Sequence, residues 1–130
     1  MKTQRVIPEA KAKIGLVGPK EVGKTTLANL LNGHLKSLGA HSDLVHETAR
    51  RCPLPLNEKT SIETSYWLFG SQVSAEALAY ATRQFVVCDR TVIDLYPFAL
   101  CAYEREKESV SKDLNALKSL IKDYISARPY

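Results

Sequence analysis

Gly18-Pro19-Lys20-Glu21-Val22-Gly23-Lys24-Thr25 sets two glycines five positions apart and follows the second with lysine and threonine. Residues in that order suit one task, the capture of a polyphosphate. Successive main-chain N–H groups in a glycine-rich turn form a concavity for anions, and the N-terminus of a following helix adds about half a positive charge. Lys24 would reach the β- and γ-phosphates and Thr25 would ligate Mg²⁺, while the amides from Gly18 to Thr26 complete the cradle.

A second group lies far downstream. Phe85-Val86-Val87-Cys88 is a continuous apolar run that ends in Asp89. A strand buried on both faces reads this way, and ligands of parallel sheets gather at the carboxyl ends of the strands. Asp89 would hold Mg²⁺ through a water molecule. Arg90 is either a cation aimed at a transferring phosphoryl group or bound substrate, or a surface arginine paired with a carboxylate. His34, His41 and His46 lack the spacing of a zinc site.

The elements that must position these residues alternate between strand and helix. A strand is predicted over 13–17 and a helix from Lys24 to about Leu38, with Leu27, Leu30, Leu31, Leu35 and Leu38 on one face and Gly39 as its stop. Ser42–His46 reads as a second strand, leading to Glu47. After a loop marked by Pro53, Pro55 and Asn57, Thr60 and Glu63 suggest a capping box. The helix it opens would reach Thr82 and bury Ile62, Tyr66, Phe69, Val73, Ala77 and Tyr80. Beyond the strand 85–88, Asp94 is the expected N-cap of a helix with Pro97 in its first turn. Leu114, Leu117, Ile121, Tyr124 and Ile125 outline a last amphipathic helix before Pro129. Strands alternating with helices imply an α/β fold with a parallel sheet. Residues 1–12 read as a polar lead-in and 13–130 as one domain.

Composition narrows the partners. The net charge of +4 suits an anionic small molecule. With no basic stripe interleaved with aromatics, nucleic acid is a poor fit. Lys11, Lys13, Lys20 and Lys24 are expected to gather near the phosphate loop. Cys52, Cys88 and Cys101 are an odd set without framework spacing, which implies reduced thiols and a cytoplasmic location. No apolar run is long enough to span a membrane.

Three segments form an ordered set: Gly18-Pro19 with Gly23-Lys24-Thr25-Thr26-Leu27, His46-Glu47-Thr48-Ala49-Arg50, and Cys88-Asp89-Arg90-Thr91. On these residues, with Gln72 near the middle of a helix, the chain resembles the P-loop nucleoside and nucleotide kinase-like families. Within them it is similar to the AAA-like ATPase/kinase group that includes ribosylnicotinamide kinase domains. The resemblance spans about residues 13–130. It implies a three-layer α/β/α P-loop NTPase fold, with ATP and Mg²⁺ as cofactors and a nucleoside- or nucleotide-like acceptor. Glu47 would orient the acceptor hydroxyl or act as general base, and Arg50 would bind substrate phosphate or carboxylate. Trp67 would stack on a nucleobase or pack into the core. Lys24, Glu47, Asp89 and Arg90 thus form the implied catalytic set.

Such kinases have five parallel strands in the order 2-3-1-4-5, then a lid. Only three strands are legible here, so the C-terminal strands and the lid are missing from the pattern. The strand 14–17 would lie at an edge, which is a pairing liability. Two expectations follow: the chain is the amino-terminal part of a longer protein, or a partner or second copy completes the sheet. Function divides between an ATP-dependent small-molecule kinase and an ATP-dependent regulatory or binding module without a small acceptor. A GTPase switch is disfavoured, because Asp89-Arg90-Thr91-Val92 lacks the glycine of DxxG.

Overall fold

The computed structural model describes residues 11–18, 23–56 and 59–130. Strand β1 (Ala12–Leu16) leads to α1 (Lys24–Ser37), β2 (Ser42–Val45), a 3-10 turn (Thr48–Arg51) and α2 (Ile62–Thr82). Then come β3 (Phe85–Asp89), a 3-10 turn (Val92–Leu95), α3 (Tyr96–Glu106), a further turn (Lys107–Val110) and α4 (Ser111–Ala127). The lead-in expected over 1–12 lies mostly outside the described residues, and its boundary shifts because Ala12 already pairs with Phe85.

The fold is α/β. Among the described residues three parallel strands run in the order β1-β3-β2, with β3 central. Centrality explains the apolar run: Val86, Val87 and Cys88 are fully buried. Side chains alternate across a strand. Val86 and Cys88 pack with Ala75, Ala79 and Tyr80 of α2. Val87 faces the other way, where α1 touches β2 and β3. The chain moves outward from β1 to β2 and back to β3, so right-handed crossovers put α1 and α2 on opposite faces. Helices α3 and α4 cover α2, burying Ile62, Ala99, Val110 and Leu117 in one cluster and Leu68, Val92, Leu95 and Ile121 in another.

Several sequence expectations need correction. Helix α1 buries Ala28, while Leu27, Leu30 and Leu38 are 54%, 66% and 69% exposed. Its inward face is narrow, and among the described residues nothing covers its outer leucines. In α2 the buried face is Ile62, Thr64, Ser65, Leu68, Gln72, Glu76 and Ala79. Tyr66 and Ala77, expected inside, are exposed. The N-cap of α2 is Ser61, one residue past Thr60: its Oγ accepts from the Thr64 amide at 3.4 Å. Thr60 instead offers its carbonyl to Arg105 Nη1 at 2.7 Å. Asp94 is not an N-cap either. Thr91 caps the turn and Asp94 Oδ2 reaches back to the Thr91 amide at 2.9 Å, a reciprocal box. Pro97 does lie in the first turn of α3.

Candidate functional site

Parallel pairing of Leu16 with Asp89 sets the carboxyl ends of β1 and β3 side by side. The chain leaves β1 through Val17 and Gly18 and enters α1 at Gly23, whose φ of 85° lies in the left-handed region that glycine adopts at no steric cost. The first turn of α1 therefore sits at the end of β3. There Thr25 Oγ1 donates to Asp89 Oδ2 at 2.7 Å, joining residues 64 positions apart. Lys24 Nζ donates to the Gly18 carbonyl at 2.7 Å and folds back across the turn. Pro19, Lys20, Glu21 and Val22 lie outside the described residues.

A cleft of about 520 Å³ opens in front of this corner. Gly23, Lys24, Thr25, Thr26 and Asp89 line one side, and Glu47, Ala49, Arg50, Leu56 and Arg90 the other. The Glu47 carboxylate lies between two guanidinium groups, with Oε1 2.7 Å from Arg90 Nε and Oε2 3.5 Å from Arg50 Nε. The Arg90 contact is an ion pair without hydrogen-bond alignment, so the buried Nε–H has no acceptor in line. Asp94 Oδ1 lies 3.9 Å from Arg90 Nη1. Arg50 Nη2 donates to Thr25 Oγ1 at 3.2 Å and closes a chain from Asp89 through Thr25 and Arg50 to Glu47.

Arg90 holds its position by an uncommon backbone conformation. Its φ is 87°, a region that disfavours a side chain by about 1–3 kcal/mol unless the surroundings enforce it. Both of its main-chain polar groups are engaged. The amide donates to the Leu16 carbonyl at 3.1 Å, and the carbonyl accepts from Gln72 Nε2 at 3.3 Å.

These groups fit a polyphosphate and a hard divalent cation. The 14-residue α1 has no side-chain cap and no acidic residue of its own in its first turn, so its positive end is met among the described residues by the Asp89 carboxylate through Thr25 and stays open to an anion on the cleft side. The Thr25 hydroxyl and the 2%-exposed Asp89 carboxylate are oxygen donors of the kind Mg²⁺ prefers. Among the described residues no group of three or more His, Cys, Asp or Glu side chains gathers for a metal. A small donor set of this kind leaves most of the coordination to water and phosphate.

The structure brings Gly23, Lys24, Thr25, Thr26, Glu47, Arg50, Asp89 and Arg90 around one cleft, with Gly18 at its edge through Lys24. Trp67 is not among them. It packs beside Leu68 and lines a separate groove with Arg51, Gly70, Ser71, Ser74 and Leu78, because its position on α2 points it away from the strand ends. The lysine cluster is also dispersed. Lys13 faces α2 and is buried, and Lys11 Nζ donates to the Tyr80 carbonyl at 2.7 Å.

Sequence reasoning missed a buried polar network behind the site. Fully buried Glu76 accepts from Lys13 Nζ at 2.9 Å and Tyr124 Oη at 2.7 Å on one oxygen. Its other oxygen accepts from Tyr130 Oη and Gln72 Nε2, both at 2.6 Å. Lys13 Nζ also lies 4.5 Å and 4.3 Å from the ring centroids of Tyr124 and Tyr130. Burial, then the bond to Glu76, raises the pKa of both tyrosines. Burial likewise pushes the Cys88 thiol up. The available signal was Gln72 and Glu76 at i,i+4 spacing, in register with Leu68 and Ala79, facing a strand that carries one lysine among apolar residues.

Cys52, Cys88 and Cys101 are free, and no described helix is long and apolar enough to cross a membrane. No protein-family model matches the chain and no curated protein matches it significantly, so the chemistry of the cleft is read from its own side chains.

Proposed function

We propose that the chain adopts the P-loop fold in its three-layer α/β/α form and binds MgATP in this cleft. As a kinase it passes the γ-phosphoryl group to a hydroxyl or phosphate of a small nucleoside- or nucleotide-like acceptor. One observation carries the reading: Thr25 Oγ1 and Asp89 Oδ2 meet at 2.7 Å beside the uncapped start of α1. Residues from two distant motifs converge where a phosphate tail and its cation would sit.

Each side chain has a role. The amides of the Gly23–Thr26 turn hold phosphate oxygens. Lys24 exchanges the Gly18 carbonyl for the β- and γ-phosphates. Thr25 and, through water, Asp89 would hold Mg²⁺, which supplies charge neutralisation on the phosphate oxygens. Arg90 and Arg50, on the facing wall, offset charge that develops on the transferred group or bind an anionic substituent of the acceptor. Glu47 orients the acceptor hydroxyl once that group displaces one arginine. Phosphoryl transfer asks mainly for positioning and charge stabilisation, which this set provides.

The specific observation favouring a second reading is the double arginine grip on Glu47. A carboxylate held this way suits a regulatory or binding module in which ATP rearranges ion pairs without phosphorylating an acceptor. Calorimetry with MgATP, followed by transfer assays against a panel of nucleosides and nucleotides, separates the two. A kinase yields a phosphorylated acceptor, lost in Lys24→Ala. Saturable MgATP binding with no product across the panel supports the module. No saturation with any purine triphosphate plus magnesium refutes both.

A further inference from the structure

The mechanism above gives no task to the most elaborate polar cluster in the molecule, yet one member of that cluster reaches the cleft. Gln72 is 1% exposed in the middle of α2 and uses both ends of its amide. Nε2 donates to Glu76 Oε2 at 2.6 Å and to the Arg90 carbonyl at 3.3 Å. Oε1 accepts from Thr48 Oγ1 at 3.3 Å, and Thr48 is itself 2% exposed. One side chain is thus tied to the segment after β2, which carries Glu47 and Arg50, and to the residue after β3, Arg90.

We propose that Gln72 is a positioning residue for the cleft, fixing the left-handed turn at Arg90 and the Thr48 turn together so that Arg90 lies against Glu47. The proposal rests on the nucleotide reading only for what Arg90 then contacts. The geometry makes the case. A positive φ at an arginine persists only where its surroundings determine it, and the Arg90 carbonyl is anchored by Gln72 while the Arg90 amide donates to the Leu16 carbonyl of β1. Glu76 fixes the amide orientation: an anionic acceptor at 2.6 Å takes the NH₂ end, so the oxygen must face Thr48. Lys13, Tyr124 and Tyr130 in turn hold Glu76 from β1, α4 and the residues after it. The cleft's two loops are therefore referenced to the core rather than to each other alone.

Gln72→Leu keeps the volume approximately and removes all three bonds. Glu76 retains Lys13, Tyr124 and Tyr130 as donors, so the carboxylate stays partnered. Gln72→Met is a second variant should leucine pack poorly. The readout that needs no nucleotide is the Arg90 Nε–H resonance in ¹⁵N-edited spectra, assigned by its loss in Arg90→Gln. In the native protein it is expected to be a distinct, slowly exchanging signal, because the Nε is buried against Glu47. In the folded Gln72 variants its exchange is expected to rise at least tenfold, by loss of one charge-supported anchor.

The second readout is calorimetry with a non-hydrolysable ATP analogue and with MgADP. The variants are expected to bind the analogue about tenfold more weakly and MgADP within twofold of native. The Gln72→Leu, Arg90→Gln double variant should be no weaker than Arg90→Gln alone. A folded Gln72 variant with an unchanged Arg90 signal overturns the proposal, as does a native Arg90 signal that exchanges freely. Additive losses in the double variant also overturn it. If the native protein binds neither nucleotide, the kinase and module readings fail, while the Arg90 resonance still decides the role of Gln72.

Discussion

Lys13→Met tests the buried centre on which the cleft is built. The Lys13 and Glu76 side chains are 2% and 0% exposed, and their charged atoms are 2.9 Å apart. Methionine keeps the apolar stem and puts a thioether against the Tyr124 and Tyr130 rings, so packing is largely retained. What remains is a buried carboxylate without its cation. Breaking one partner of such a pair costs about 3–5 kcal/mol, which corresponds to a fall in melting temperature of roughly 10–20 °C at this chain length. Glu76→Gln leaves an unpaired ammonium in the same place, with a cost in the same range of about 3–5 kcal/mol. The double variant carries no buried charge. It should cost about 1–3 kcal/mol, less than either single variant, with the loss coming from tyrosine hydroxyls that give up an anionic acceptor. Urea denaturation at constant m-value measures all four corners of the cycle. Additivity within about 0.5 kcal/mol, or a single variant costing less than about 1 kcal/mol, would refute the reasoning.

Alkaline pH should destabilise the fold. Tyr124 and Tyr130 have raised pKa values, so they keep their protons in the native state at a pH where unfolded tyrosines, near about 10, release theirs. Their contribution is complete below about pH 10 and declines as the pH rises above it. Cys88 adds a similar decline from about pH 8.5. Tyr130→Phe should flatten the fall of the urea midpoint above pH 10; an unchanged slope contradicts the assignment. Asp89→Asn should weaken MgATP binding at least tenfold while leaving metal-free ATP affinity nearly unaltered, as calorimetry with and without magnesium would show; equal losses in both would remove Asp89 from the metal's side. Gly15→Ala would set a Cβ against the Thr91 methyl and the Tyr130 ring. A loss of about 1–3 kcal/mol is expected, and a variant as stable as the native chain would mean that this corner is looser than described.

The parts of the site that are legible in the sequence are those encoded locally. Gly18 to Thr25 announces a turn and a helix start through its own spacing, and Phe85 to Asp89 announces a central strand through unbroken hydropathy. The helix start at Lys24 and the strand land where expected, and Thr25 and Asp89 meet. Helix α2 is located correctly, yet its buried face is misread. Ile62, Phe69, Val73 and Tyr80 do pack inward, but hydropathy also favours Tyr66 and Ala77 over Gln72 and Glu76, since a buried glutamate makes sense only once Lys13, 63 positions away, is known to face it. The same blindness to distant partners assigns Lys13 to the phosphate loop. Of the two readings of Trp67, core packing holds and stacking in the cleft does not, because an aromatic residue on the right helix need not share the angular position of the cleft. The caps are misplaced in two ways: Thr60 yields the capping position to the next hydroxyl, Ser61, and Asp94 serves as the third-position partner of Thr91, which caps the turn three residues earlier.

If the cleft binds nucleotide as proposed, the 64-residue span between Thr25 and Asp89 ties ligand capture to a contact of long sequence separation. The corner exists only after β3 has slotted between β1 and β2, and parallel pairings of that sequence separation form late because chain closure precedes any gain from them. A nascent or partly unfolded chain that has already wound α1 therefore has Thr25 in place without the Asp89 carboxylate beside it. Nucleotide would recognise the finished sheet alone, so its effect should appear as slower unfolding and greater resistance to proteolysis rather than as faster refolding.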